Sequence, residues 1–178
     1  MRRRRHNHRQ EPDMTSATRT IDSPIGRLTL GATARGLRFV WWPEDVRPMP
    51  DTTDGGDDPG AAAHLDAAAA QLAEYFAGER TDFDLTLDTV GTPFQLEAWT
   101  ALRTIPYGST LSYGEQARRM GDARKARAVG AANGRNPISI IVPCHRVLGA
   151  DGSLTGFAGG LSTKAWLLDH ERHVLSTR

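Results

Sequence analysis

The spacing of apolar positions changes along the chain, and those changes divide it. Arg19–Gly26, Arg27–Thr33 and Gly36–Trp42 read as three strands, separated by Ser-Pro-Ile-Gly and Ala-Arg-Gly turns. Residues 43–60, rich in Pro, Gly and Asp, predict an acidic surface loop. Ala61–Gly78 consists of good helix formers and offers Leu65, Leu72, Tyr75 and Phe76 to one face. Thr81–Asp88 alternates Phe83, Leu85 and Leu87 with polar residues, the period of a half-buried strand. Strands, helix and strand together predict a small α/β unit over residues 18–90.

From residue 91 onward helix signals dominate. Thr92-Pro93-Phe94-Gln95 combines an N-cap, a proline at the first helical position and a capping box. Its helix should run to about Thr104, with Phe94, Leu96, Trp99 and Leu102 in the core. Ser112-Tyr113-Gly114-Glu115 is a second capping box and opens a short helix ending near Met120-Gly121. Ala123–Asn133 and Ser162–Glu171 are the remaining predicted helices. The short pair at 112–120 and 123–133 has helix-turn-helix spacing. Its second member begins with Arg124, Lys125 and Arg127, where the helix dipole also favours phosphate. It then becomes nearly bare: Ala128, Val129, Gly130, Ala131, Ala132. A helix so stripped can lie against a nucleic-acid groove or pack tightly on a neighbouring helix; the segment alone leaves both open.

Charge supports the same division. The net charge of +1 hides 6 basic against 15 acidic residues over 11–91, and 11 against 6 from residue 92. The first ten residues add five arginines, so residues 1–17 are expected to be a disordered basic tail. That asymmetry points to a polyanion partner for the second half, or merely to differing solvated surfaces. No apolar run is long enough to span a membrane, and no secretory signal is visible. One cysteine forms neither an internal disulfide nor a cysteine-rich zinc site, so a cytoplasmic setting and no metal are expected.

That cysteine, Cys144, follows the apolar, strand-like run Pro137–Val142 and precedes His145 and Arg146. A buried inert thiol has no need of such neighbours. A nucleophilic one does, since with a pKa of ~8.5 only about 3% is thiolate at neutral pH. A cysteine hydrolase would use the same groups but would need no DNA-binding helix pair.

Asn136-Pro137 and Ile141-Val142-Pro143-Cys144-His145-Arg146-Val147 resemble the signature of the O6-alkylguanine-DNA alkyltransferases, the methylated-DNA–protein-cysteine methyltransferases. The similarity extends over Thr92–Trp99, Ile105–Gly108, Ser112–Glu115, Ala126–Gly130, Gly156–Gly160 and Trp166–Glu171, and Thr20–Gly26 resembles the bacterial single-protein members. The resemblance implies a ribonuclease-H-like α/β unit at 18–90 and a mainly helical helix-turn-helix domain at 91–178. It implies DNA repair by direct reversal: one irreversible transfer of the alkyl group of O6-alkylguanine, and of O4-alkylthymine, to Cys144. His145 would take the thiol proton through a water, Glu171 would orient His145, and Asn136 would hold the active-site turn. Tyr113 would crowd the target phosphate and donate to the leaving base. Arg127 would fill the gap left by a flipped base, with Ala128 and Gly130 against the minor groove. Val147, Phe157 and Ala158 would line the guanine pocket, Phe157 standing where many members carry tyrosine. Arg146 is open between a phosphate contact and a structural salt bridge. The implied partner is double-stranded DNA, bound by a monomer that needs no cofactor. Alkyltransferase-like proteins share the fold but lack the cysteine, which this chain has.

Overall fold

A computed structural model describes residues 17–45 and 58–178. The basic tail and most of the acidic loop expected from the sequence lie outside those residues. Strands β1 (Ala17–Ile21), β2 (Leu28–Thr33) and β3 (Gly36–Trp41) form an antiparallel meander in that order. Helix α1 (Pro59–Phe76) lies on it. Asp58 caps α1 by accepting from the amides of Gly60 and Ala61, and Pro59 stands in the first turn. Leu65, Leu72 and Tyr75 are buried as their spacing predicts, whereas Phe76 is half-buried.

Thr81–Asp88 is not the expected strand. It is extended but meets the sheet only at Leu37–Leu87, where the Leu37 amide donates to Thr86 and the Asp88 amide donates to Leu37. Side chains fix its end instead: the Asp88 carboxylate takes Arg38 at 2.8 Å and Thr33 at 2.7 Å. Polar bonds therefore hold what the alternation assigned to a ladder.

Helix α2 (Pro93–Leu102) and helix α3 (Tyr113–Arg119) both begin with the predicted capping boxes, Thr92–Gln95 and Ser112–Glu115. In α2 the buried positions are Ala98, Trp99 and Leu102. Phe94 and Leu96 are only half-buried, and Phe94 lies under the Lys125 ammonium, 5.8 Å from its ring centre. Helix α4 starts at Ala126, later than predicted, and ends at Gly134. Ala123–Lys125 is a 3₁₀ turn capped by Asp122, whose carboxylate also holds the Arg124 guanidinium at 2.9 Å. A buried amide pair ties the helices together: Asn133 donates to Gln116 at 2.7 Å, and Gln116 donates to Asn133 and to the Ala98 carbonyl. The Trp99 indole donates to the Ala132 carbonyl. Small residues on α4 thus serve both close packing, at Ala132, and an open face, at Ala128 and Ala131.

Two-residue strands β4 (Leu111–Ser112) and β5 (Val147–Leu148) pair in parallel, which brings the start of α3 beside the cysteine motif. Helix α5 (Leu161–Ser176) runs five residues beyond the predicted end. The sheet and the helical part share one apolar core. They also join directly where the Val40 amide of β3 donates to the Pro137 carbonyl.

Candidate active site

Pro137–Val142 is a chain of buried tight turns, not a strand. The Ile141 amide donates to Ser139, two residues back, around an Ile140 with φ of 73°. This γ-turn geometry is strained, and for a β-branched residue it persists only where the surroundings over-determine it. The Cys144 amide donates to Val142 in the same short-range way, around Pro143 at φ −83° and ψ 65°, the unstrained inverse form. Asn136 over-determines the whole run. Its Oδ1 accepts from the Ile138 amide, and its Nδ2 donates to the Val142 carbonyl at 2.8 Å and to Cys144 Sγ at 3.2 Å. One amide side chain therefore closes the turn and aims a donor at the sulfur. A donor there favours the thiolate over the thiol.

Cys144–Arg146 form a single 3₁₀ turn, which points Cys144 and its two neighbours differently. Cys144 is 8% exposed, whereas His145 and Glu171 are completely buried. His145 Nε2 meets Glu171 Oε1 at 2.7 Å, so Nε2 carries the proton and Nδ1 keeps a lone pair. Nδ1 is buried and has no protein hydrogen-bond partner among the described residues. Burial pulls the imidazole below its ordinary pKa, against the opposing pull of Glu171. His145 is therefore neutral at physiological pH and able to accept a proton.

Arg146 is not a phosphate ligand. It is 6% exposed and grips Glu171 through Nε at 2.9 Å and Nη2 at 2.9 Å, with Nη1 on the Ile105 carbonyl. Glu171 also accepts from the Gly108 amide at 2.9 Å and from the Tyr75 hydroxyl at 2.9 Å. Gly108 has φ of 72°, a left-handed conformation that turns its amide toward the carboxylate and that glycine adopts without a steric penalty. Burial alone would raise the Glu171 pKa, but the hydrogen bond from His145 and the Arg146 charge outweigh it and hold the carboxyl at about 2.

Lys164 is fully buried; its Nζ donates to the Val147 carbonyl at 2.6 Å and to the Thr155 carbonyl at 2.8 Å. Burial lowers its pKa, and Cys144 acts in the opposite sense. Sequence reasoning overlooked Lys164, yet α5 carried the signal. Lys164, Leu167, Leu168 and Glu171 fall at i, i+3, i+4 and i+7, so one buried stripe contains two charges. Tyr75, read only as a core-facing residue of its helix, and Gly108, read only within the Ile105–Gly108 run, were not assigned to the site.

The remaining predicted residues surround the sulfur less tightly. Tyr113 is half-buried; its hydroxyl donates to the Thr155 carbonyl at 3.2 Å, and its ring faces Gly130 of α4. Val147 is buried, Phe157 half-buried and Ala158 exposed on the loop leading to α5. Trp42 meets the Phe157 ring edge-on at 5.6 Å. A Cβ on Gly159 would lie 2.7 Å from the Trp42 ring and 3.0 Å from Phe157, so only glycine lets the loop seat here. Arg127 and Ala128 are exposed on α4, away from the buried charges. Among the described residues no helix is long and apolar enough to cross a membrane, and no cluster of His, Cys, Asp and Glu is arranged to hold a metal.

The family model described as the ribonuclease-like domain of 6-O-methylguanine DNA methyltransferase matches residues 17–89. The one described as the DNA binding domain of the same protein matches residues 93–173. The methylated-DNA–protein-cysteine methyltransferase of Mycobacterium tuberculosis is 53% identical over 157 residues, covering 86% of this chain and 91% of that protein. The protein of the same name from Methanosarcina acetivorans is 45% identical over 153 residues, covering 85% and 95%. Among solved structures, Mycobacterium tuberculosis OGT in complex with DNA superposes with a TM-score of 0.79 at 50% identity, covering 89% of this chain and 94% of that one.

Proposed function

The chain belongs to the 6-O-methylguanine DNA methyltransferase family, and on that premise we propose that Cys144 accepts the alkyl group of O6-alkylguanine, or O4-alkylthymine, in duplex DNA. The thiol proton passes through a water to His145 Nδ1. The thiolate attacks the alkyl carbon, an S–C bond forms, the C–O bond breaks, and the electron pair leaves on the guanine O6. Glu171 keeps His145 in the required tautomer and stabilises the imidazolium that forms. The observation that carries the reading is the buried Cys144, His145 and Glu171 set, with the Asn136 amide donating to the sulfur and an imidazole Nδ1 that has no partner among the described residues.

The other roles follow the same logic. A base within a duplex must be flipped out, at about a few kcal/mol. Exposed Arg127 fills the vacated stack, while Ala128 and Gly130 let α4 approach the minor groove. Tyr113 exchanges its Thr155 bond for the leaving base. Val147, Phe157 and Ala158 line the pocket, with Trp42 behind Phe157. Among the described residues none placed at Cys144 offers a route to cleave a thioether, so in this reading each molecule acts once, as a monomer and without a cofactor. The two working units divide at residues 90 and 91. The reduced thiol suits the cytoplasm.

Intact-protein mass spectrometry after incubation with O6-methylguanine duplex tests the reading. The expected result is a gain of one methyl group, mapped to Cys144 and absent in Cys144→Ala, which still binds DNA. An unchanged mass refutes it, and release of a product with repeated turnover would favour a cysteine hydrolase.

A further inference from the structure

We propose that Tyr75, on a helix of the N-terminal unit, is a positioning residue for the transfer reaction: its phenol shares Glu171 Oε1 with His145 and sets how tightly that oxygen holds the imidazole. The proposal rests on the functional reading above. Tyr75 lies outside the residues matched by the DNA-binding family model, which contain the rest of the cluster.

Tyr75 is fully buried at the last turn of α1 and donates to Glu171 Oε1 at 2.9 Å, across 96 positions of sequence. The same oxygen takes His145 Nε2 at 2.7 Å and Arg146 Nη2 at 2.9 Å. The other oxygen is occupied by Arg146 Nε and the Gly108 amide. A carboxylate offers about four lone-pair sites, and here five donors compete for them. Tyr75 and His145 draw on one oxygen, so strengthening one bond weakens the other.

The phenol is held where it is. Its ring packs among Phe76, Phe83, Tyr107 and His170, with centroids 5.4 to 5.9 Å away. His170 Nε2 donates to the Tyr75 carbonyl at 2.8 Å, so α5 grips the backbone of the residue whose hydroxyl it also engages. Tyr107 supplies the contrast. It is 8% exposed and stacks near Arg146, yet its buried hydroxyl has no hydrogen-bond partner among the described residues. If Tyr75 were only packing, its hydroxyl would be as idle as that one.

The groups facing Glu171 are His145 and Arg146 from the 3₁₀ turn, Tyr75 from α1, and Tyr107 with the Gly108 amide from the segment after α2. On α5 itself, His170 turns to the Tyr75 carbonyl, and Lys164 is committed to Val147 and Thr155. Removing the phenol leaves Glu171 a stronger acceptor for His145. The imidazolium is then favoured, and His145 becomes neutral only at higher pH. Strengthening the phenol as a donor does the reverse.

The test is the pH–rate profile of transfer from free O6-benzylguanine, which involves no DNA binding. Tyr75→Phe should move the acid limb upward by about half a pH unit. Site-specific 3,5-difluorotyrosine at 75, a stronger donor of similar shape, should move it downward. Tyr107→Phe should leave it in place. A Tyr75→Phe profile that superimposes on wild type overturns the proposal, as does an equal shift in Tyr107→Phe or a slower rate with an unmoved limb. If Tyr75→Phe does not fold, the difluorotyrosine protein decides, and an unmoved limb there is equally fatal. A wild-type protein inert at every pH instead sinks the functional reading, a result distinct from all of these.

Discussion

Replacing Glu171 by Gln isolates the charge at the centre of the buried cluster. The amide keeps the shape and presents one oxygen where the carboxylate presents two. One of its ends must then face donors with an NH₂ group, and Arg146 loses its counter-ion while remaining 6% exposed. Two independent routes give the cost. Holding the carboxyl at about 2 instead of the ordinary 4.5 corresponds to about 3 kcal/mol. Breaking one partner of a buried ion pair costs about 3–5 kcal/mol. In a chain of this size, that is a fall in Tm of about 6–20 °C. The pH dependence is more diagnostic. Below the ordinary carboxylate value the unfolded chain takes up a proton at Glu171 that the folded protein refuses. The contribution is therefore fully present above about pH 4.5 and lost as pH falls toward about 2. Thermal unfolding of wild type and Glu171→Gln, followed from pH 7.5 downward, should show a gap that is fully present at neutral pH and closes through that window. His145, neutral when folded, weakens both proteins as pH drops below its ordinary value, and Glu171→Gln more, because the variant lacks the carboxylate that opposes burial; the gap therefore narrows only through the Glu171 window. A gap under 1 kcal/mol at neutral pH, or one that persists unchanged at pH 2.5, would refute the account of Glu171 as the charged hub.

Arg127→Ala should slow repair of O6-methylguanine in duplex by about tenfold or more while leaving reaction with free O6-benzylguanine unchanged; equal losses in both assays count against its place in the stack. Gly159→Ala drives a methyl into Trp42 and Phe157, so transfer from O6-benzylguanine should fall roughly tenfold further than transfer from O6-methylguanine DNA. Adding Trp42→Leu should recover most of that difference, and failure of the pair to compensate would detach Trp42 from the pocket wall.

The sequence made the helices legible because their signals are local. Thr92 and Gln95, or Ser112 and Glu115, reach each other within one turn, and the structure holds both boxes as written. One error arose where distant groups decide, the other where a polar side chain at the edge of an apolar run captures its backbone. Phe83, Leu85 and Leu87 alternate like a strand, but Asp88 is tethered by Arg38 and Thr33, which lie 50 and 55 positions away. Pro137–Val142 is apolar enough for a buried strand, yet Asn136 captures its backbone and folds it into turns. The same division runs through the site. Through the family resemblance, the cysteine motif marks Asn136, Cys144 and His145, and the separate Trp166–Glu171 run marks Glu171. The fate of Arg146 stayed open, because only the fold brings it to Glu171. Tyr75 and Gly108 are marked locally only as a core position and a turn, not as partners of Glu171, whereas Lys164 stands out as a second charge in a buried stripe.

The Tyr75–Glu171 bond also has a consequence for how the protein is born. At synthesis rates of about 5–20 residues per second, Glu171 is added roughly 5–20 seconds after Tyr75, given the 96 positions between them. Throughout that interval the phenol has no acceptor; Arg146 and His145, 25 and 26 positions before Glu171, lack their counter-ion and tautomer-fixing partner for its last ~1–5 seconds. On a ribosome Cys144 therefore stands without the His145–Glu171 pair, which is completed only when α5 closes over a helix made long before. On the proposed mechanism, the sulfur then meets its base only in a molecule that has finished folding.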